Sequence, residues 1–255
     1  MHCLQASEAR VLDEHIDGYM SHGIGVRPGD VVLDVGANIG LFGLRMAQRC
    51  GGDIRLLAFE PIPAIRSCAE KNLSAWEGAT VLPYGVGRRA GRASFTYFPN
   101  APSLSTSREE DWKSQHGAFE EAVAGNTQHA PMWYARLVPR ILAGPIARYL
   151  QSKREQVDCE IVTIPEVLRD HDISRVDLLK IDCEGAEEDA LLGIDGDTWA
   201  GIQQVVVEVH DIDGRLDRVV ALLRAKGLTQ LVVEKEEALA KTRLSNVYAH
   251  RPRDP

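Results

Sequence analysis

Three polar residues in the second half of the chain follow apolar segments and could carry acid–base chemistry. Asp182 and Glu184 come directly after the apolar segment 176–181, and His210 comes directly after the segment 205–209. Because the carboxyl ends of neighbouring parallel strands meet at one edge of a sheet, we expect these side chains to face one crevice. With an ordinary pKa of about 6.5, His210 would be largely neutral at pH 7 and able to accept a proton. Glu184 could orient the imidazole and stabilise its charged form.

The same residues have other interpretations. Asp182 and Glu184 could cap the helix that follows them, and His210 could be a polar loop residue after a buried strand. Together with Asp211 they supply oxygen and nitrogen ligands, so a divalent metal that binds a diol substrate is a further alternative. Acid–base catalysis by His210 with Glu184 as its partner is the preferred hypothesis.

A glycine-containing turn near the amino terminus could bind a second reactant. An apolar strand at 31–35 carries Asp34 and runs into the turn, which a helical pattern follows. Dinucleotide binding requires G-x-G-x-x-G, but Asn38 stands where the second glycine should be, and no P-loop Gly-Lys-Ser/Thr is present. The pattern Asp34-x-Gly36-x-Asn38-x-Gly40 resembles the first motif of methyltransferases that use S-adenosylmethionine (SAM). An ordinary strand–helix turn in a protein that binds another ligand is the alternative.

The next predicted strand ends in an acid that could hold a ribose. Glu60 closes the apolar strand 55–59, about twenty residues beyond the glycine turn, and a carboxylate can accept two hydroxyl hydrogen bonds. After the third strand, at 80–83, Gly85 and Val86 could lie against a flat adenine ring, and a plain turn at this end of the strand is the alternative. The residues expected to contact the cofactor are Tyr19, Asp34, Gly36, Ala37, Asn38, Gly40, Glu60, Pro61, Gly85, Val86 and Asp182.

Three segments resemble the FkbM-type family of SAM-dependent O-methyltransferases, namely 31–42, 178–187 and 246–249. Segments 22–24 and 204–211 are similar, more specifically, to methyltransferase domains embedded in polyketide and nonribosomal-peptide synthases. The resemblance implies an α/β fold with a Rossmann-like seven-stranded class I methyltransferase sheet, of order 3-2-1-4-5-7-6 with the last strand antiparallel. It also implies SAM as cofactor, methyl transfer to a hydroxyl oxygen and no essential metal. We expect Asp182 to lie near the methionine end of SAM or near the acceptor.

The elements expected to position these residues form one domain, 1–255. Its amino-terminal part, 1–25, is predicted to contain a helix at 7–20 that brings Tyr19 to a cofactor or substrate pocket; ordinary packing of that helix is the alternative. Strands predicted at 93–98 and 159–164 flank a span without a strand pattern. That span, 100–156, is long for a simple connection and contains Trp133 and Tyr134, so we expect a helical lid or insert over the active site. A helical satellite that touches no substrate is the alternative.

Composition narrows the class of protein and its partners. The net charge of −8 and pI near 5.5 argue against nucleic-acid binding. No apolar run has the length of a membrane span, and no amino-terminal segment has the pattern of a signal peptide. The five cysteines are scattered and indicate neither a zinc site nor a disulfide framework, so a reduced cytoplasm is the expected location.

The functional hypothesis is an O-methyltransferase that acts on a hydroxyl of a polyketide or polyketide-peptide intermediate, held by an acyl carrier protein. Neighbouring synthase domains would be partners if the chain is a piece of a synthase. One alternative is the same reaction on a free small molecule or a sugar hydroxyl. An alternative from another class is a catalytically silent SAM-binding scaffold domain.

Overall fold

Two β-sheets organise the chain. The computed structural model describes residues 1–109, 120, 123–124, 139–235 and 243–252, with the side chains of residues 7, 8, 14 and 140 excepted. The strands in this part are β1 (Val31–Val35), β2 (Arg55–Phe59), β3 (Ala79–Leu82), β4 (Tyr84–Val86), β5 (Gly91–Tyr97), β6 (Glu155–Val162), β7 (Leu178–Ile181), β8 (Gln204–His210), β9 (Gln230–Glu234) and β10 (Leu244–His250).

The larger sheet has the order β3-β2-β1-β7-β8-β10-β9. Counted within this sheet alone, the order is 3-2-1-4-5-7-6, as predicted. Strands β1, β2, β3, β7 and β8 pair in parallel, whereas β10 is antiparallel to both β8 and β9. The predicted Rossmann-like class I methyltransferase sheet is therefore confirmed.

The smaller sheet contains the strands predicted at 93–98 and 159–164. Its order is β4-β6-β5, with β4 parallel and β5 antiparallel to β6. Residues 84–86, which the sequence pattern indicated as a turn, form β4. This sheet stands beside the carboxyl edge of the larger one, because β4 follows β3 after Pro83.

Helices cover both faces of the larger sheet. They are α1 (Ala6–His15), α2 (Leu41–Arg49), α3 (Pro63–Leu73), α4 (Ala143–Leu150), α5 (Ile164–Asp170), α6 (Glu187–Leu192), α7 (Gly196–Gly201) and α8 (Arg215–Ala225). The helix predicted at 7–20 is shorter than expected: α1 ends at His15, and a 3-10 turn follows at Gly18–Met20, because glycine is a poor helix former.

The apolar strands divide their side chains between two cores. In β1, Leu33 and Val35 join one core, whereas Val32 joins the other, and all three are buried. A parallel strand covered on both faces is apolar throughout, which explains the continuous run that made β1 and β7 easy to predict. Asp34, within this run, is the exception.

The predicted lid, 100–156, is described near its ends and at residues 120, 123 and 124. A 3-10 turn at Pro102–Leu104 and a bridge between Thr106 and Thr96 open it, and α4 closes it. Trp133 and Tyr134 lie outside the described residues. None of the helices in the described ranges is long and apolar enough to cross a membrane.

Candidate active site

A cavity of about 240 Å³ opens at the carboxyl edge of the larger sheet. The ends of β1, β2, β7 and β8 form its floor, with α1 and the segment 102–107 at its sides. Of the residues predicted from sequence, its wall contains Tyr19, Gly36, Ala37, Asn38, Glu60, Pro61, Gly85, Val86, Asp182, Glu184 and His210. Asp34 and Gly40 are not part of the wall.

The glycine turn has a geometry that its residue types explain. Gly36 has a φ of +76°, and a Cβ there would collide with the carbonyl oxygen of Asp182. Asn38 has a φ of +50°, which asparagine tolerates better than most residues. Gly40 is the N-cap residue of α2 and packs against Ala69, where a Cβ would be 3.2 Å from the Ala69 Cα atom. Gly40 thus lets α2 approach α3 and does not contact the cavity.

Glu60 connects the turn to β2. Its Oε2 accepts a hydrogen bond from the Asn38 N–H at 3.1 Å, and its Oε1 accepts one from the Ile62 N–H at 2.9 Å. Burial raises the pKa of Glu60 to about 8, although these N–H groups act to lower it. The carboxyl group is therefore fixed in place at the end of β2 and is largely protonated at pH 7.

Asp34 is buried and does not line the cavity. It has no exposed surface, and its Oδ1 lies 3.0 Å from Nζ of Lys180 on β7. Lys180 in turn donates a hydrogen bond of 2.9 Å to the carbonyl oxygen of Gly36. Burial raises the pKa of Asp34 despite this partner. Asp34 therefore supports the glycine turn through Lys180, which the sequence pattern did not single out.

Tyr19 joins the amino-terminal segment to the carboxyl end of β7. Its hydroxyl donates a hydrogen bond of 2.9 Å to Oδ2 of Asp182. Nζ of Lys180 lies 5.6 Å from the centre of the Tyr19 ring and 3.9 Å from the same Asp182 oxygen. The predicted approach of Tyr19 and Asp182 to one pocket agrees with this geometry.

The imidazole of His210 lies between two carboxylates. Its Nδ1 is 3.1 Å from Oε1 of Glu187, which has no exposed surface, and its Nε2 is 3.3 Å from Oε2 of Glu184. Burial alone would lower the pKa of His210, but Glu187 and Glu184 raise it well above 6.5. The prediction that His210 is neutral near pH 7 is therefore wrong in this geometry, because two buried carboxylates favour the imidazolium.

Glu184 has an unusual backbone and an unsatisfied side chain. Its φ is +52°, in the left-handed region, and Gly185 follows with a φ of +104°. Burial raises the pKa of Glu184 to about 6, against the lowering effect of His210. Its buried Oε2 meets His210 as an ion pair, without an aligned hydrogen bond. Strain and an incompletely bonded polar atom at one residue are typical of functional sites.

Two residues of this cluster were missed from the sequence. Glu187 accepts a 2.6 Å hydrogen bond from the Gly185 N–H, and its Oε2 lies 3.7 Å from Nη1 of Arg215. Burial alone would raise the pKa of Glu187, but the charge and hydrogen bond of His210 lower it. Arg215 also donates a 3.0 Å hydrogen bond to the carbonyl oxygen of His210. No helical spacing in the sequence reports this cluster, because Glu184 lies in the loop before α6 with a φ of +52°, whereas Glu187 is the first residue of that helix.

The structure bears on two alternatives, helix capping by Asp182 or Glu184 and a metal site that includes Asp211. The N-cap residue of α6 is Ala186, without a side-chain bond, so neither Asp182 nor Glu184 caps that helix. Asp211 accepts a 3.1 Å hydrogen bond from the Leu216 N–H at the start of α8. Within the described ranges, no three His, Cys, Asp or Glu side chains converge as a group that could hold a metal ion.

Most of the chain matches the profile of a known protein family. The profile of the methyltransferase FkbM domain matches residues 34–228, which include the glycine turn, Glu60 and His210. The chain belongs to the FkbM methyltransferase family. Methyltransferases of this family and fold generally use SAM.

Relatives of this FkbM-family chain differ in length and in the reaction that their names describe. The chain is 35% identical over 237 residues to the 31-O-demethyl-FK506 methyltransferase FkbM of Streptomyces tacrolimicus, covering 91% of this chain and 85% of that protein. It is 32% identical over 243 residues to the AMB antimetabolite synthetase AmbE of Pseudomonas aeruginosa, covering 92% of this chain but 11% of the synthetase.

A solved structure confirms the fold. The crystal structure of a methyltransferase FkbM from Methylobacillus flagellatus superposes with a TM-score of 0.56 over 93% of this chain and 50% of that chain, at 14% sequence identity. At this identity the likeness concerns the fold alone.

Proposed function

We propose that this FkbM-family chain is a SAM-dependent O-methyltransferase that methylates a hydroxyl of a polyketide or polyketide-peptide intermediate held by an acyl carrier protein. The observation that carries the proposal is the His210 imidazole, held between Glu184 and Glu187 in the wall of the cavity that also contains Glu60 and the glycine turn. A histidine positioned at the cavity wall, once it has lost its proton, suits an acceptor that must give up a proton as it reacts.

The cavity wall fits SAM by its donor set. Glu60, once ionised, can accept both ribose hydroxyls, and Gly85 with Val86 presents a small apolar surface to the adenine ring. The turn, Tyr19 and Asp182 would face the methionine end. The wall contains three further acidic side chains, Asp182, Glu184 and Glu208, which outnumber its cations Lys180 and His210, and this excess of negative charge suits a cationic cofactor. When bound, SAM supplies a methyl group on a positively charged sulfonium, which is already electrophilic.

The chain must orient the acceptor hydroxyl, exclude water and receive the proton. In the geometry described, Nε2 of His210 faces Glu184 and Nδ1 faces Glu187. An acceptor hydroxyl that replaces Glu184 at Nε2 removes one of the two carboxylates that raise the pKa of His210. Glu184, as it leaves, can take the Nε2 proton, which would leave the imidazole neutral. Nε2 would then receive the hydroxyl proton while the methyl group passes from the SAM sulfur to the hydroxyl oxygen, so that the carbon–sulfur bond breaks as the carbon–oxygen bond forms. Glu187 keeps Nδ1–H in place and balances the resulting charge, as the acid of a triad does.

Transfer of a labelled methyl group tests the proposal. Purified protein is incubated with methyl-labelled SAM and with matched hydroxyacyl substrates, carrier-bound or free. Methylation of the carrier-bound forms alone is the expected result. His210→Ala should lower kcat by about 10²-fold or more while SAM binding persists. SAM binding without turnover on any acceptor would favour the scaffold hypothesis, and loss of activity in EDTA would favour the metal alternative.

A free small molecule is the second candidate acceptor. The relative from Streptomyces tacrolimicus is named for a compound, 31-O-demethyl-FK506, and the present chain covers 85% of its length. That name favours methylation of a free hydroxyl compound, whereas the match to a segment of the AmbE synthetase favours a carrier-bound intermediate. Equal methylation of free and carrier-bound hydroxyacyl substrates would select the second candidate.

A further inference from the structure

The segment that opens the insert, residues 102–108, is attached to the residues that carry the proposed chemistry. Thr106 pairs with Thr96 of β5 through two backbone hydrogen bonds, of 2.8 and 3.2 Å. Ser105 Oγ accepts a hydrogen bond of 3.2 Å from the Phe98 N–H. Arg108 forms an ion pair with Asp189 of α6, the helix that begins with Glu187. The segment is therefore held from both sides, by the smaller sheet and by α6.

Thr106 makes the contact closest to the acid–base cluster. Its side chain is 1% exposed, and its hydroxyl donates a hydrogen bond of 2.6 Å to the carbonyl oxygen of Glu184. The same hydroxyl oxygen accepts a hydrogen bond of 2.8 Å from the Arg108 N–H. The Glu184 carbonyl belongs to a residue with a φ of +52°, a conformation that persists only where surrounding contacts hold it. The Thr106 hydroxyl is one such contact.

We propose that Thr106 is a positioning residue that holds Glu184 in its left-handed conformation and so keeps the Glu184 carboxylate against His210. The placement of the segment 102–108 is thereby coupled to the acid–base pair. This inference rests on the proposed function for its catalytic consequence but not for its structural one. Without the hydroxyl, the Glu184 carbonyl and the Arg108 N–H lose their partner, and the strained backbone of Glu184 is free to relax.

Titration of His210 by NMR tests the positioning directly, without substrate. The charged groups that face the imidazole are Glu184 from the β7–α6 loop, Glu187 from α6 and Arg215 from α8, with Asp182 beside Glu184. Thr106→Val should lower the titration midpoint of His210 by about one unit, because the Glu184 carboxylate moves away. Thr106→Ser, which keeps the hydroxyl, should leave it unchanged. The signal is assigned by its loss in His210→Asn.

Thr96→Val is the matched control. It removes a hydroxyl from the other member of the same bridge, where Thr96 Oγ1 contacts Glu109 and Gln156, and neither of these contacts reaches Glu184. An unchanged midpoint in Thr106→Val, or an equal shift in Thr96→Val, would overturn the proposal. If Thr106→Val does not fold, as judged by its melting curve, Thr106→Ala at the same position is titrated under the same criteria.

Kinetics supply the second measurement. With an acceptor that the wild type methylates, Thr106→Val should lower kcat by about tenfold with little change in KM for SAM, because a displaced Glu184 no longer takes the Nε2 proton of His210, and Thr106→Ser should restore kcat. A loss that appears only in KM, or that Thr106→Ser does not restore, would contradict a positioning role. If the wild type methylates no acceptor, the proposed function fails, while the His210 titration still decides the role of Thr106.

Discussion

At the scale of single residues, the candidate site is an alternating series of buried charges. Arg215, Glu187, His210 and Glu184 follow one another from the core to the cavity, with neighbouring atoms 3.7, 3.1 and 3.3 Å apart. With His210 protonated, the series has no net charge. Such an array stabilises the imidazolium, so His210 must first lose a proton before it can accept one, and displacement of a carboxylate neighbour lowers its pKa and promotes that loss.

The activity should accordingly rise with pH. Because Glu187 and Glu184 raise the pKa of His210 above 6.5, kcat/KM should be low at pH 6.5 and increase on the alkaline side. Glu187→Gln removes one of the two negative charges, so it should move this increase to lower pH and reduce kcat by about tenfold or more. A pH series of initial rates with a methyl acceptor measures both effects.

Glu188→Gln is the control for that experiment. It removes the same charge one position along α6, but Glu188 pairs with Arg218 at the surface, at 2.6 Å. An increase of kcat/KM that stays at the same pH in Glu187→Gln, or that moves equally in Glu188→Gln, would contradict the assigned role of Glu187.

The raised pKa of Glu60 predicts that nucleoside binding depends on pH. Its pKa of about 8 means that it is mostly protonated at pH 7, whereas acceptance of two ribose hydroxyls requires the carboxylate. Adenosine, which has the ribose without the methionine end, should therefore bind about tenfold or more tightly at pH 8.5 than at pH 6.5. Calorimetric titration at the two pH values measures the difference.

Substitution separates Glu60 from other ionisable groups in that experiment. Glu60→Gln should bind adenosine weakly and without the pH dependence. Glu70→Gln, a change on the surface of α3 where Glu70 pairs with Arg66, should behave as the wild type. Adenosine binding that is independent of pH in the wild type would refute the proposed role of Glu60.

Residue roles were predictable from sequence only where position in the fold decides them. His210, Glu184 and Glu60 each follow a recognisable apolar strand, and parallel topology brings the ends of such strands together. The charge state of His210 was not predictable, because Glu187 had to be placed against its second nitrogen. The burial of Glu187 depends on the start of α8, where Arg215 lies near it, and no local pattern reports that contact.

At the scale of elements, the glycine turn is fixed by its approach to β7. The carbonyl oxygen of Asp182 occupies the space that a side chain at Gly36 would need, and Gly36 has a φ of +76°. Gly36→Ala should therefore lower the free energy of unfolding by about 3 kcal/mol or more, through collision and backbone strain. Chemical denaturation monitored by circular dichroism measures the change.

Gly25→Ala is the comparison for Gly36→Ala. Gly25 has open space around its Cα atom, so the change should alter the free energy of unfolding by no more than about 0.5 kcal/mol. Equal stability of the two variants would show that the contact between the turn and β7 is not tight in solution.

Strands with a clear apolar pattern were predictable from sequence, whereas a short strand without such a pattern was not. Strands β1 and β7 are apolar apart from one buried charged residue each, Asp34 and Lys180, so their place in the centre of the sheet followed from sequence. The three-residue strand β4 pairs with β6, far along the chain, and its sequence Tyr84-Gly85-Val86 has the composition of a turn. Long-range pairing decided its structure, and a local pattern cannot contain that information.

At the scale of the whole molecule, the buried ionisable groups of the site lower the free energy of unfolding as the pH rises. Glu60 binds a proton in the folded protein up to a pH of about 8, but only up to about 4.5 when unfolded, so its contribution falls as the pH rises through that interval. His210 has a raised folded pKa, so its contribution is fully present below 6.5 and is lost as the pH rises from 6.5 through the raised pKa of the folded protein. The loss of a proton from Glu60 and the loss of a proton from His210 therefore both destabilise the folded protein as the pH rises.

The melting temperature should therefore decrease between pH 6.5 and pH 9. Differential scanning fluorimetry across this range measures it, and Glu60→Gln should give a shallower decrease because one of the two contributions is gone. A melting temperature that is constant or that rises with pH would contradict the assignment of these pKa values to the folded protein.

The order of strands in the larger sheet also has a consequence for biosynthesis. Strand β1 needs β7 as its second neighbour, and a hydrogen bond from the Val31 N–H to Asp177 joins residues 146 positions apart. At a synthesis rate of 5–20 residues per second, the apolar β1–β2 unit waits about 7 to 30 s on the ribosome for its partner. Strand β10, inserted between β8 and β9, is needed later still. The nascent chain thus presents an incomplete apolar sheet for much of its synthesis, and we expect it to depend on chaperones that bind such surfaces.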